Sequence, residues 1–486
     1  MKIDIIFTVN LGRLKPTAFL PLILAAWLFP SHLLPLAPAE IRAQTNPAEQ
    51  VDVLLNSWNK GDSPGAAVLV IRDGKILLKK GYGLAEVESK KPITPDTAFL
   101  LGSITKQFTA MAIMMLAERG KISYEDPLSK FFPEFPPYAQ KITVRHLLNH
   151  TAGFAEYDDL FVEGGLIDRD WPRSSKTKPS QFEPTSKDAL KLLAQQHSLR
   201  FSPGEKFEYS NSGYVILAQI VEKVSGKRFT EFLKANIFGP LGMNRTLLYD
   251  ETRPTVANVA SSYTLKNESY NQIDYTPLNA IYGEDNIYST VEDVYKWDQA
   301  LYTEKLVKAA TLKNAFTPGR LNDRTSTPYG FGWRIRSFLG LNTVGHSGSW
   351  LGFNNYLVRF PSERFTVIVL SNLAQFQPAR IASKISKIYL SKKLKFPVAK
   401  YLDPNMARTY VGHYEFAPGA IAEITLENNV LWIKPPGEEK TKLLASSQDV
   451  LFLDGMEETS LIFKRDATGH VIGFTVEGRA SARRLP

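Results

Sequence analysis

The chain has 486 residues, of which 44% are hydrophobic and 22% charged, with 31 Gly, 30 Pro and no Cys. At roughly 150 residues per domain this allows about two or three folded units, and the composition excludes a disordered chain and a polytopic membrane protein. Without cysteine there is no disulfide framework, thiolate nucleophile, Cys-ligated zinc or Fe–S cluster. The net charge of +9 comes from 58 Lys+Arg against 49 Asp+Glu with no compact basic block. That reads as a solvated surface, and no nucleic-acid partner is expected.

Residues 1–16 carry Lys2, Arg13 and Lys15 against Asp4, and an apolar stretch follows from Ala18 to about Leu36. Ala37-Pro38-Ala39 and Ala43 offer small-residue exits. This is the pattern of a secretory signal over residues 1–43 and predicts an exported, periplasmic or secreted protein with no membrane span after cleavage. An uncleaved anchor is the alternative, which Pro21, Pro30 and Pro35 disfavour.

The body opens with an apolar-periodic segment around Val51–Trp58, then a hairpin of Ala66–Ile71 and Lys75–Lys80 about Asp73-Gly74 is expected. Phe108, Met111, Met114, Met115 and Leu116 recur at helical spacing after Ser103, with Gly120 placed as a C-terminal cap. Residues 155–190 show little periodicity and read as a long surface excursion. Gly213–Gly226 predicts another helix, Gly352–Phe360 and Phe365–Ser371 a second hairpin, and Pro378–Lys393 a last helix. From Tyr410 the texture changes to short strands: Tyr410–Phe416, Ile421–Leu426, Val430–Lys434, Val450–Leu453, Ser460–Lys464 and Val471–Val476. The expected organisation is a body over about 46–395 and a small β barrel or sandwich over about 405–486.

The residues that carry chemistry begin with Ser103-Ile104-Thr105-Lys106. Positions three apart share a helix face, so the Lys106 ammonium can reach the Ser103 hydroxyl, and a lysine of lowered pKa can serve as its base. Alone, the pair reads as an N-cap serine with a surface lysine. Two more motifs change that reading: Tyr209-Ser210-Asn211 before a helix, and Gly345-His346-Ser347-Gly348-Ser349 before the second hairpin.

With these three motifs in this order the chain resembles the serine β-lactamase and penicillin-binding superfamily, in its class C-like branch. Flanking stretches agree: Thr143 to Gly153, Ser289-Thr290-Val291-Glu292-Asp293 with Trp297, and Tyr329-Gly330-Phe331-Gly332-Trp333. The resemblance covers most of residues 50–395 and implies an α+β fold: an antiparallel sheet flanked by helices plus an all-helical subdomain. The tail, with Tyr410 to Glu415, looks like the small β module appended to some members. The resemblance implies Ser103 as nucleophile, Lys106 and Tyr209 sharing the proton work, and the backbone N–H groups of Ser103 and Ser349 as oxyanion hole. It implies Asn211, His346, Ser347 and Ser349 as substrate-binding residues, without a cofactor or metal. One departure is Gly283-Glu284-Asp285-Asn286, where members often carry a more glycine-rich turn.

The expected function is a serine hydrolase forming an acyl-enzyme on a small ester, amide or peptide, of esterase or D-amino-acid peptidase type. His346 in place of a lysine lacks the fixed charge suited to a substrate carboxylate, which ranks β-lactamase or D-alanyl-D-alanine carboxypeptidase second. A non-catalytic cell-wall or ligand-binding protein, with the β module mediating oligomerisation or wall contact, is the alternative of another class. His146 and His150 have helical metal-pair spacing but lack the Glu of His-Glu-x-x-His, so no metal is assigned.

Overall fold

The structure, a computed structural model, describes residues 46–168, 182–476 and 480–486. The expected signal segment lies outside the described residues. No helix among the described residues is long and apolar enough to cross a membrane. The chain forms two compact units, Pro47–Leu394 and Lys395–Pro486.

The first unit is built on an antiparallel sheet in the order Arg334–Phe338, Leu341–Trp350, Phe353–Phe360, Phe365–Ser371, Ala66–Arg72, Lys75–Tyr82. The run Ala66–Ile71 is apolar at every position because the sheet is covered on both faces. Ala67, Leu69 and Ile71 enter one core, while Ala66, Val68 and Val70 enter the other. The second core is closed by Val51 and Leu55 of the helix Pro47–Leu55 and by Ile381, Ile385 and Leu390 of the helix Pro378–Leu390. The first core holds the helical part, including Lys106–Glu118, Val144–Leu148, Tyr157–Glu163, Ser186–Ala194 and Asn211–Ser225. This is the expected α+β architecture.

Both hairpins form as expected. Asp73 and Gly74 turn with φ of 51° and 76°, the left-handed pair that a two-residue hairpin requires. Gly120 (φ 68°) and Gly226 (φ 67°) close the ends of their helices. The excursion expected over 155–190 is corrected in part. Its described residues include the helix Tyr157–Glu163, which buries Tyr157 and Phe161, and the start of Ser186–Ala194, capped by Thr185 and Asp188. Two turns of helix carry too few apolar positions for a period to show.

The second unit is a closed barrel of eight strands, completed where Gly412–Ala417 pairs with Ala480–Arg484. The rings of Tyr410, Tyr414, Phe463 and Phe474 fill it, with Phe463 and Phe474 centroids 5.2 Å apart. Two strands escape the sequence pattern, Thr441–Ser447 and Ala480–Arg484. Both are poor in the β-branched and aromatic residues that mark a strand, and neighbours on either side supply their pairing.

One buried ion pair ties the sheet to the helix Val291–Ala300: Arg359 Nε donates to Asp298 Oδ1 at 2.6 Å, with Thr366 Oγ1 donating to the same carboxylate at 2.9 Å. Asp298→Ala should strand the guanidinium in the core and lower the unfolding free energy by about 3–5 kcal/mol. Urea denaturation measures this, and a loss below about 1 kcal/mol would show that water or another acid reaches Arg359.

Candidate active site

Ser103 lies in a tight turn, Gly102–Thr105, that runs directly into the helix beginning at Lys106. The turn is pressed backbone to backbone against the strand Leu341–Trp350. A Cβ on Gly102 would lie 2.7 Å from the Ser349 nitrogen, and one on Gly348 would lie 1.8 Å from the Leu101 oxygen. Only glycine permits this approach, and it sets the Ser103 turn beside the Ser349 peptide.

Lys106 is the centre of the arrangement. Its side chain is 0% exposed, so it is no surface lysine. Its ammonium donates to Ser103 Oγ at 2.9 Å, Asn211 Oδ1 at 2.8 Å and the Glu284 carbonyl at 3.0 Å. Three donors meet three acceptors, and the Glu284 carboxylate stands 3.6 Å away. Ser103, Tyr209 and Asn211 are only partly buried above the enclosed ammonium, while the Tyr209 oxygen itself is buried.

The Tyr209 ring has two cations near its face, Lys106 Nζ and the Arg334 guanidinium, each 5.0 Å from the centroid. On another side it packs on His150, with centroids 4.3 Å apart. His150 fixes the second motif twice, its Nδ1 accepting from the Ser210 N–H at 3.1 Å and its carbonyl from the Glu208 N–H at 3.0 Å. Burial first, then the charges of Lys106 and Arg334, hold the His150 pKa well below the ordinary value, so the ring is neutral. The Asn211 N–H, at the start of its helix, donates to Glu156 Oε2 at 2.8 Å.

The structure brings together Ser103, Lys106, Tyr209 and Asn211. Asn211 engages the Lys106 head through its side-chain oxygen. His346 is placed differently from a residue lining an open edge, being 1% exposed. Its Nδ1 lies 2.6 Å from the Ser347 carbonyl and its Nε2 2.9 Å from Tyr329 Oη, which fits an Nδ1–H donor and an Nε2 acceptor. Burial, with Arg334 and Lys106, holds its pKa well below the ordinary value. Ser347 is partly buried and Ser349 exposed on the same strand. His146 and His150 do not face one another as ligands: His146 Nδ1 accepts from the Thr143 N–H at 3.1 Å, closing a helix cap.

Three charged residues at the site escaped the sequence reading. Arg334 follows the quoted Tyr329–Trp333 stretch by one residue and Glu156 follows Gly153 by three, yet neither belongs to a motif. Glu284 lies in the one turn that departs from the family pattern.

The profile of the Beta-lactamase family matches residues 48–386. The chain belongs to that family. The matched segment contains every motif residue from Ser103 to Ser349, while the barrel lies beyond it. A penicillin-binding protein of Bacillus subtilis (strain 168) is 32% identical over 432 residues, 84% of this chain and 92% of that protein. A D-aminopeptidase of Gluconobacter oxydans (strain 621H) is 26% identical over 330 residues, 66% of this chain and 57% of that one. The octameric penicillin-binding protein homologue from Pyrococcus abyssi superposes with a TM-score of 0.62 at 26% identity, covering 89% of this chain and 99% of that one. That superposition reaches past the Beta-lactamase family segment.

The acids around the site titrate unusually. Burial raises Glu156 from 4.5 to about 7, against hydrogen bonds from Ser210 and Asn211 that lower it. Because the folded value lies above the unfolded one, this carboxyl's contribution to stability is full below about 4.5 and is lost as pH rises through about 7. Glu156→Gln keeps an acceptor for the Asn211 N–H and should flatten the fall in melting temperature over that interval. An unchanged slope in a pH series of thermal melts would place the titration elsewhere.

Proposed function

We propose that this cleft performs acyl transfer to water, with Ser103 as nucleophile. The observation that carries the reading is the buried Lys106 ammonium donating to Ser103 Oγ at 2.9 Å, with Tyr209 lying over it. Ser103 Oγ attacks the carbonyl of an amide, peptide or ester. Its proton passes through Tyr209 and Lys106 to the leaving amine or alcohol. Water then attacks the acyl-enzyme, and its proton returns to Ser103 Oγ as the acid departs. The backbone N–H groups of Ser103 and Ser349 are suited to the oxyanion, where losing one such donor costs on the order of 100–1,000-fold in rate. Asn211 aims the ammonium. The D-aminopeptidase and penicillin-binding relatives support an amide or peptide as acyl donor.

A second reading is favoured by Arg334. His346 carries no fixed charge, but a cation for a substrate carboxylate need not come from the third motif. Arg334 offers a permanent guanidinium from the adjacent strand, partly exposed and beside Tyr209. It supports substrates with a carboxylate near the scissile carbonyl, as in a peptide C-terminus or a penicillin. The basic, apolar and small-residue succession over 1–43 supports export to the periplasm or medium, and the octameric Pyrococcus abyssi homologue supports self-assembly.

Wild-type protein should take a fluorophosphonate or fluorescent penicillin label, and Ser103→Ala should lose it by a factor on the order of 10,000 or more. A folded wild type that takes neither label nor substrate would return the protein to the ligand-binding class. On a panel of p-nitrophenyl esters, D-amino-acid amides and nitrocefin, Arg334→Ala should raise KM for the carboxylate-bearing member about tenfold to a hundredfold. Equal effects on charged and neutral substrates would remove Arg334 from carboxylate recognition.

A further inference from the structure

The turn Gly283-Glu284-Asp285-Asn286 puts two consecutive carboxyls into the protein interior, Glu284 1% and Asp285 3% exposed. Neither can swing out to water. Gly283 has φ of 106°, and a Cβ there would lie 2.5 Å from the Tyr214 oxygen, so the chain is pressed onto the helix Asn211–Ser225. At the other end the Asn286 amide donates to the carbonyls of Asn279 at 2.7 Å and Ile281 at 2.6 Å. Glu284 Oε1 accepts from Tyr157 O–H at 2.7 Å, and Oε2 stands 3.6 Å from Lys106 Nζ. Asp285 follows Glu284 directly in the chain, and the two buried carboxyls act on each other electrostatically. Two ionised carboxylates side by side in the interior repel, and a proton on one of them removes that repulsion.

The charges around the pair lead to the same count. Lys106 faces it from the helix Lys106–Glu118, Tyr157 and Asp158 from the helix Tyr157–Glu163, and Tyr288 from the strand Ile287–Ser289. The helix Asn211–Ser225 contributes the neutral Asn211 and Tyr214. Lys106 is the cation acting on both carboxyls, while Asp158 adds negative charge near Glu284. One ammonium balances one carboxylate, and a second ionised carboxylate beside it would be an uncompensated buried charge. Burial pushes both carboxyls up, and Glu284 pushes Asp285 further.

We propose that Glu284 and Asp285 share a single proton and present one negative charge to Lys106, a counter-ion that holds the ammonium charged and aimed at Ser103. The inference rests on the acyl-transfer reading of Ser103 and Lys106 and deepens it. A lysine held charged has no lone pair for the Ser103 proton, so the acceptor is the Tyr209 oxygen as phenolate, its charge offset by Lys106 and Arg334. Glu284 and Asp285 are positioning residues acting through Lys106.

Infrared spectroscopy of the wild-type protein at pH 9, where Glu156 is ionised as well, tests the shared proton without any variant. Solvent-exposed carboxyls are ionised there, and a carboxylic-acid carbonyl band should persist and shift in deuterium oxide. Absence of that band overturns the inference, whether or not Ser103 takes a label. Asp285→Asn, which supplies an N–H in place of the shared proton, should remove the band. In the pH profile of acylation, Glu284→Gln should move the Lys106-dependent limb to lower pH by about one to three units, because the amine loses its opposite charge. Asp285→Asn, which keeps that charge, should leave the midpoint of the limb in place. A Glu284→Gln protein with a native melting profile and an unmoved limb overturns the counter-ion role. A persistent band combined with labelling that survives Ser103→Ala supports the proton-sharing pair and overturns the acyl-transfer reading instead.

Discussion

Taking the Lys106 ammonium out of water commits the rest of the unit to surrounding it with oxygen. A buried cation without hydrogen bonds and a counter-charge costs several kcal/mol, more than most single contacts return. Ser103 Oγ, Asn211 Oδ1 and the Glu284 carbonyl take its three donors, and the Glu284 carboxylate answers its charge. These acceptors come from positions 103, 211 and 284, so three distant stretches must converge on one nitrogen. Convergence of that kind is possible only with rigid supports. The Gly102 and Gly348 backbone contact is one, and the grip of His150 and Glu156 on residues 208–211 is another.

The electrostatics of the cleft follow from the same burial. Lys106 and Arg334 bring two positive charges to the faces of one phenol. His150 and His346 lie in the same dry region and are held neutral, so they add hydrogen-bond direction without charge. The acids are on the far side of Lys106 and resist ionisation because water is absent there. A hydroxyl placed between such a cation and the outside has a polarised O–H bond and an open face. That combination is what a nucleophile requires, and a packed N-cap serine does not have it.

Much of this was legible along the chain. The unbroken apolar run Ala66–Ile71 announced a strand covered on both faces, and Asp73-Gly74 announced its turn. The spacing of Ser103 and Lys106 put the two on one side of a helical turn, a local property that survives any surroundings. The barrel was legible as repeated short strands, except where Thr441–Ser447 and Ala480–Arg484 rely on their neighbours for pairing. The helix Tyr157–Glu163 was hidden because two turns leave almost no period to detect. Arg334 and Glu156 were hidden for a different reason: a single charge beside a motif looks the same whether it faces bulk water or a phenol.

The sequence by itself determined the longer elements, their order and the three motifs brought to the site, since propensity, periodicity and turn chemistry act over a few residues. The tertiary structure decided environment. It made Lys106 a fully enclosed cation, enclosed His346 as a neutral interior residue, and set the two acids of the Gly283–Asn286 turn against the ammonium. Burial and long-range charge depend on what packs from a hundred or more residues away, and no local pattern encodes them.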